Sequence, residues 1–257
     1  KAKALDPNSW LSIKRLGDYY FSRNEFDKAI ATYLETESVA AGIKNDELRR
    51  HYLRRCYTCV AFSYINADKG KKAAKYFEKV LMLYTDEKES YLVLKYLQQL
   101  YFDQRQWVLL KPVAEKINAL FPNHYAHAYM ALGSYYYEEE KDIENALNFY
   151  KKAAQVNCMS DTFIGGNDRE IGAIILMVLG ELYLKDMNDE ATAIEYFEKV
   201  LNIDTKTQQI SRAAEHLYNL AEKRGDEEVM AKYKAHRGEI QKLLSLFNDP
   251  FEPTPPK

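Results

Sequence analysis

The sequence predicts an all-α chain, a solenoid of stacked helix–turn–helix units, and three observations lead there. One pattern of apolar, small and aromatic residues recurs five times between Leu11 and Asp204. Its spacings of three and four put the marked residues on one face of a helix, not on alternating faces of a strand. Only 10 Gly and 7 Pro interrupt 257 residues that include 21 Tyr. Helix breakers are few, and broad amphipathic rings suited to packed helical layers are many.

The first unit reads Ile13, Leu16-Gly17 and Tyr20, then Ala29 and Tyr33 beyond a polar turn at Ser22 to Glu25. The second reads Tyr57, Val60-Ala61, Tyr64, Ala73, Phe77 and Val80. In the third, Leu94, Leu97 and Tyr101 fit, but Gln98 takes the small position and Pro122 closes the unit. The fourth has Tyr129, Leu132-Gly133, Tyr136, Ala146, Tyr150 and Ala153 around a polar stretch at Glu138 to Asp142. The fifth has Leu176, Leu179-Gly180, Tyr183, Ala193, Phe197 and Val200, with its turn at Asp186 to Asp189. Gly17, Ala61, Gly133 and Gly180 let the paired helix approach closely. Ala29, Ala73, Ala146 and Ala193 are the small partners on that second helix, and the tyrosines fill the space alongside.

These residues resemble the tetratricopeptide repeat, whose signature of an aromatic or apolar residue, Leu-Gly, Tyr, Ala, aromatic, Ala and Pro extends over about 34 residues. The stretches Ala-Lys-Tyr-Phe-Glu-Lys-Val-Leu at 74–81 and Ile-Glu-Tyr-Phe-Glu-Lys-Val-Leu at 194–201 look like that family's second helix. The resemblance implies about twelve helices in a right-handed superhelix. The repeats are expected near 10–43, 46–85, 88–122, 125–158 and 169–205, with a capping hairpin at 207–247 that lacks Leu-Gly. Together, 1–247 form one solenoid, followed by a Pro-rich tail at 248–257 that cannot continue a helix. Departures from the family pattern are plain. The small positions 17, 61, 98, 133 and 180 lie 44, 37, 35 and 47 residues apart, so sequence is inserted after repeats one and four. Repeats four and five also carry one extra residue before their Ala.

In this family the first helix of each repeat lines a concave groove that holds peptides. Carried over residue by residue, the resemblance implies a groove of Lys14, Phe21, Arg55, Phe62, Ile65, Lys95, Gln99, Phe102, Met130, Ser134, Tyr137, Met177 and Leu184. Leu11, Thr58 and Leu92 fall on the same helices. Chaperone-adaptor members clamp a C-terminal carboxylate with Lys and Asn. Lys14 matches the first of these positions, but Asp18 and Phe62 stand where Asn is required, so the clamp is absent. What is left is an apolar, aromatic floor suited to a helical or extended segment. Its occupant is a protein or peptide partner, a second copy of the chain, or the chain's own C-terminal part. The bland alternative is a superhelix wound tightly enough to bury these side chains itself.

Arg49, Arg50, Arg54 and Arg55, with His51, form a basic patch ahead of the second repeat. A solvated helix face with Asp46 paired to Arg50 at i, i+4 explains part of it. A docking surface for an acidic partner is the sharper reading.

No constellation of catalytic or cofactor-binding residues emerges. Cys56 and Cys59 have C-x-x-C spacing, but they fall inside a helix rather than at its start, and no second ligand pair offers a zinc site. They read as core packing. His124 and His127 lack acidic neighbours at metal-ligand spacing, and Gly165-Gly166 lacks the Lys-Ser/Thr of a phosphate loop. Glu138-Glu139-Glu140 reads as a solvated turn. A formal charge of −2 argues against nucleic acid as the main partner, and no apolar run reaches the length of a transmembrane segment. Three cysteines lean towards a reducing, cytoplasmic setting. A chain beginning at Lys1 is also compatible with an exported or lipid-anchored form whose leader has been removed. The expectation is therefore a non-enzymatic interaction module without cofactor. Its rivals are a self-associating scaffold shaped by 42–50 and 158–170, and a small-ligand receptor or enzyme using the bore of the superhelix.

Overall fold

The computed structural model describes residues 10–122, 125–159, 168–203 and 208–234, and among these the chain is helical with no strand. Its helices are α1 (Trp10–Ser22), α2 (Phe26–Leu34), α3 (Thr36–Ala41), α4 (Asp46–Asn66), α5 (Gly70–Leu81), α6 (Tyr91–Asp103) and α7 (Trp107–Leu120). They continue as α8 (Ala126–Tyr135), α9 (Ile143–Met159), α10 (Asp168–Lys185), α11 (Glu190–Leu201) and α12 (Gln208–Arg224). Residues 227–234 are helical as well. The chain forms two compact units, one ending at Pro122 and one beginning at Asn123.

Within the first unit, α1 pairs with α2, α4 with α5, and α6 with α7; α2–α4 and α5–α6 contacts join these hairpins. Within the second, α8 pairs with α9 and α10 with α11; α9–α10 and α11–α12 contacts continue the stack. Within each unit, successive helices pack on one another, which is the arrangement of an all-α solenoid.

The small positions work as the sequence suggests, with a different partner. A Cβ at Gly180 would lie 2.5 Å from the Phe197 ring, and one at Gly133 would lie 3.0 Å from the Tyr150 ring. At Gly17 it would overlap the Tyr33 ring. The aromatic residue four places after the Ala thus fills the space above the glycine, while Ala29, Ala73, Ala146 and Ala193 are themselves wholly buried.

The two copies of Tyr-Phe-Glu-Lys-Val-Leu play matching parts. Phe77 and Phe197, like Val80 and Val200, are fully buried. Lys79 and Lys199 lie over the rings of Tyr76 and Tyr196, at 4.7 and 4.9 Å. Glu78 accepts a hydrogen bond from the Tyr101 hydroxyl, and Glu198 accepts one from Tyr233 at 2.8 Å. One hexapeptide therefore supplies core, cation–π contact and a link to the following element.

The insertion after repeat one is the short helix α3 together with extra N-terminal turns on α4, which is 21 residues long and capped by the Asn45 side chain at Leu48 N, 2.9 Å. In repeat four the stretch read as a turn is still helical. Tyr136–Glu140 form a π turn, and only residues 141 and 142 separate it from α9. This wider turn absorbs the extra residue before Ala146. The sequence at 160–167 and 235–257, including Gly165-Gly166, most of the second capping helix and the Pro-rich tail, lies outside the described residues, as does His124.

Candidate functional site

Two helices of the first unit carry most of the candidate site. The long helix α4 buries Cys56, Val60, Ala61 and Ser63. Along the edge of that core, at i, i+3, i+4 and i+7, stand Arg55, Thr58, Cys59 and Phe62, of which Cys59 still packs against it. Arg55 is exposed, and Thr58, Cys59 and Phe62 are half-buried. Phe62 meets Tyr96 of α6 edge-on at 4.9 Å and Phe77 at 5.6 Å, while Phe77 and Tyr96 stack at 5.4 Å. These three rings hold one another at favourable angles and leave part of Phe62 facing outward. Phe21 rests edge-on against Phe26, and Phe102 against Trp107, each at 5.6 Å; both are half-buried. Ile65 is also half-buried, Lys95 lies 5.5 Å over the Tyr91 ring, and exposed Gln99 donates to Asp103 at 2.8 Å. Leu11 on α1 and Leu92 on α6 are 51% and 58% exposed.

The second unit differs. Met130, Ser134 and Met177 are buried, so their side chains offer no groove surface. The Ser134 hydroxyl donates to Met130 O at 3.1 Å and shares a hydrogen bond with the Tyr150 hydroxyl at 2.9 Å. Met177 belongs to the core formed with Ala173, Phe197 and Leu217. For Met130 and Ser134 the cause is local composition: Ala126, Ala128, Ala131 and Gly133 make α8 slim enough to sink into its layer. Tyr137 and Leu184 are half-buried; the Tyr137 hydroxyl donates to Asp186 at 3.5 Å, and Leu184 packs on the Met177 core.

The basic patch is divided by the fold. Asp46 pairs with Arg49 at i, i+3, not with Arg50 at i, i+4. Arg54 lies 4.6 Å over the Tyr84 ring and 3.7 Å from Glu89. Arg54 and Arg55 share a concavity with Lys14 of α1; Lys14 is paired with Asp18, and Asp18 also accepts from the Tyr33 hydroxyl at 2.9 Å. Between them lies an open cavity of about 470 Å³ lined by Lys14, His51, Arg54, Arg55, Thr58, Cys59, Tyr84 and Glu89. Sequence reasoning reached Lys14, Arg55 and the arginine run separately. Tyr84, Glu89 and Tyr96 carry no periodic signal, and only the tertiary fold brings them in.

Cys56 is fully buried, its thiol donates to Tyr33 O at 3.0 Å, and burial pushes its pKa up to about 12. Cys59 is raised by burial too, against the opposing pull of Lys14 and Arg55. Both behave as packed, protonated thiols. Among the described residues no group of three or more His, Cys, Asp or Glu is placed to hold a metal ion, and no helix is long and apolar enough to cross a membrane.

The tetratricopeptide repeat model matches residues 126–157 and 173–207, the α8–α9 and α10–α11 hairpins, and the chain is a helical solenoid of this type. Among solved structures, MamA from Desulfovibrio magneticus RS-1 is 21% identical, the match covering 77% of this chain and 97% of that one with a TM-score of 0.55. YrrB, a tetratricopeptide protein with an unusual peptide-binding site, is 16% identical over 83% of this chain and 96% of its own, TM-score 0.57. PilF of Pseudomonas aeruginosa is 13% identical over 92% and 97%, TM-score 0.56. At these identities the likeness establishes the fold. No curated protein matches the chain in sequence.

Proposed function

We propose that this tetratricopeptide-repeat chain is a non-enzymatic interaction module that holds an apolar segment of another polypeptide on the first-helix face of its N-terminal unit. The observation that supports this reading best is the exposure of Leu11 and Leu92, 51% and 58%, on the helices that also present Phe21 and Phe102. Large aliphatic side chains held in solvent on helices that also carry half-open aromatic rings gain most from an occupant: burying one of them contributes about 1.5–3 kcal/mol. The peptide-binding site attributed to YrrB agrees with this use of the fold. Met130, Ser134 and Met177 are left out of the proposed surface because they are buried.

The test compares proteins captured from the native organism by the wild type and by Phe62→Asp with Phe102→Asp, after circular dichroism shows both folded. Loss of specific partners in the variant is expected; an unchanged capture profile sinks the reading. Self-association is the second reading, favoured by Val108 and Leu109 standing 67% and 48% exposed on α7. Light scattering over a concentration series separates the two. A monomer is expected, and a stable oligomer that dissociates on Val108→Glu would favour the scaffold.

A further inference from the structure

We propose that the cavity between α1 and α4 recognises a single carboxylate side chain, Asp or Glu, on the bound polypeptide segment. This rests on the reading that the first-helix face holds such a segment, and it adds a charge requirement to an otherwise apolar surface.

A run of arginines on a solvated helix would fan outward into water. Here the positive groups come from two helices and line one concavity: Lys14 from α1, and His51, Arg54 and Arg55 from α4. The convergence is visible at Cys59, whose half-buried thiol is acted on by both Lys14 and Arg55. His51 and Arg54 lie on the turns that α4 carries ahead of its repeat motif, so the site is specific to this chain's insertion rather than to the repeat pattern.

The individual groups are suited to receiving an anion. Arg54 is held over the Tyr84 ring at 4.6 Å, and its link to Glu89 is long, 3.7 Å, with Glu89 60% exposed. Its fork is therefore positioned without being saturated. No ion pair joins Arg55 to a carboxylate among the described residues, and its side chain is exposed. The Tyr84 ring and the half-buried Thr58 and Cys59 supply a less polar wall for the methylene stem of an acidic residue.

Charge selects the class of ligand. Lys14, Arg54 and Arg55 are opposed by Asp18, paired to Lys14, and by Glu89 at the rim. Three cations against two carboxylates leave one unit of positive charge when His51 is neutral, which matches a monoanionic carboxylate. A phosphoryl dianion would overcompensate it and crowd against Glu89. Phe62 follows Thr58 and Cys59 by one turn on the same face of α4. The acidic residue is thus expected next to, not within, the apolar part of the segment.

A random-peptide phage library selected on the intact chain tests this. The wild type is expected to enrich Asp or Glu at a fixed offset from apolar positions. Arg54→Gln with Arg55→Gln should lose the acidic preference while keeping the apolar one. A synthesised wild-type winner should bind that variant at least about tenfold more weakly, an effect that shrinks as salt is raised, and Arg55→Lys should restore part of the loss. Selection of apolar peptides without an acidic position, or an acidic preference that survives in the double variant, overturns the carboxylate site and leaves the apolar surface standing. A phosphoserine version binding more than tenfold tighter than its glutamate counterpart overturns the choice of carboxylate. Failure of the wild type to enrich any sequence overturns both this site and the function proposed above.

Discussion

The Phe197 ring occupies the space a side chain on residue 180 would need, so the repeats are most sensitive where a single methyl group meets a fixed ring. Gly180→Ala puts a Cβ 2.5 Å from a ring that is fully buried and cannot swing aside. It is expected to destabilise the chain by about 1–3 kcal/mol in urea unfolding. Gly42→Ala meets nothing closer than 3.5 Å and is expected to be neutral or slightly stabilising. The cysteines give a chemical check. With its thiol pushed up to about 12 and buried, Cys56 should resist iodoacetamide at pH 8 in the native chain and react once urea is added, as read by peptide mass spectrometry. Glu181 gives a pH signature. Its carboxyl lies below the usual range because of its hydrogen bond from His216 and the nearby Arg212 guanidinium, 2.6 Å away. A folded pKa below the unfolded one means the stabilisation is complete above the unfolded value and fades as pH falls through the folded one. Glu181→Gln should therefore cost about 1 kcal/mol at pH 7 and progressively less as the pH falls below the usual carboxylate range, measured by thermal midpoints.

At the scale of elements, the hairpins share a device that the sequence shows only in part. The five turns that join paired helices each hold one non-glycine residue at positive φ: Asn24, Asp68, Arg105, Lys141 and Asn188, between 52° and 60°. Asn and Asp adopt this left-handed conformation with little cost, so three of the turns are recognisable from residue type. Arg105 and Lys141 are not, because nothing in their chemistry favours it. Arg105→Gly and Lys141→Gly are each expected to stabilise by about 1 kcal/mol, with Asn24→Gly near zero, in the same unfolding assay. The same contrast governs what was legible overall. Helix pairs could be read because Leu-Gly, Ala and the aromatic recur at helical spacing. The π turn at Tyr136–Glu140 could not, because three consecutive glutamates look like a solvated turn. The ion pair of Asp46 with Arg49 rather than Arg50 was hidden as well, since i+3 and i+4 both satisfy helix geometry.

At the scale of the molecule, the two units put equivalent sequence positions to different use. In the first, the first helices leave Leu11, Phe21, Phe62, Leu92 and Phe102 open or half-open. In the second, Met130 and Met177, which stand where the first unit has Lys14, Thr58 and Lys95, are buried, as is Ser134, which stands where it has Phe62; Tyr137 and Leu184, at the positions of Phe21 and Phe102, stay half-buried. Periodicity assigns a helical face but not what covers it, so candidate groove residues could be named while their exposure could not. The basic cavity was hidden for a related reason: Tyr84 and Glu89 reach it from the segment after α5. Photocrosslinking tests the central claim most directly, with benzoylphenylalanine placed at position 62 and, as a control, at position 82, where Met82 is 83% exposed in the turn after α5. Irradiated in the native organism, position 62 is predicted to trap a specific polypeptide that position 82 does not. Identical products from both positions, or crosslinks only within the chain, would contradict the claim that this face holds a partner.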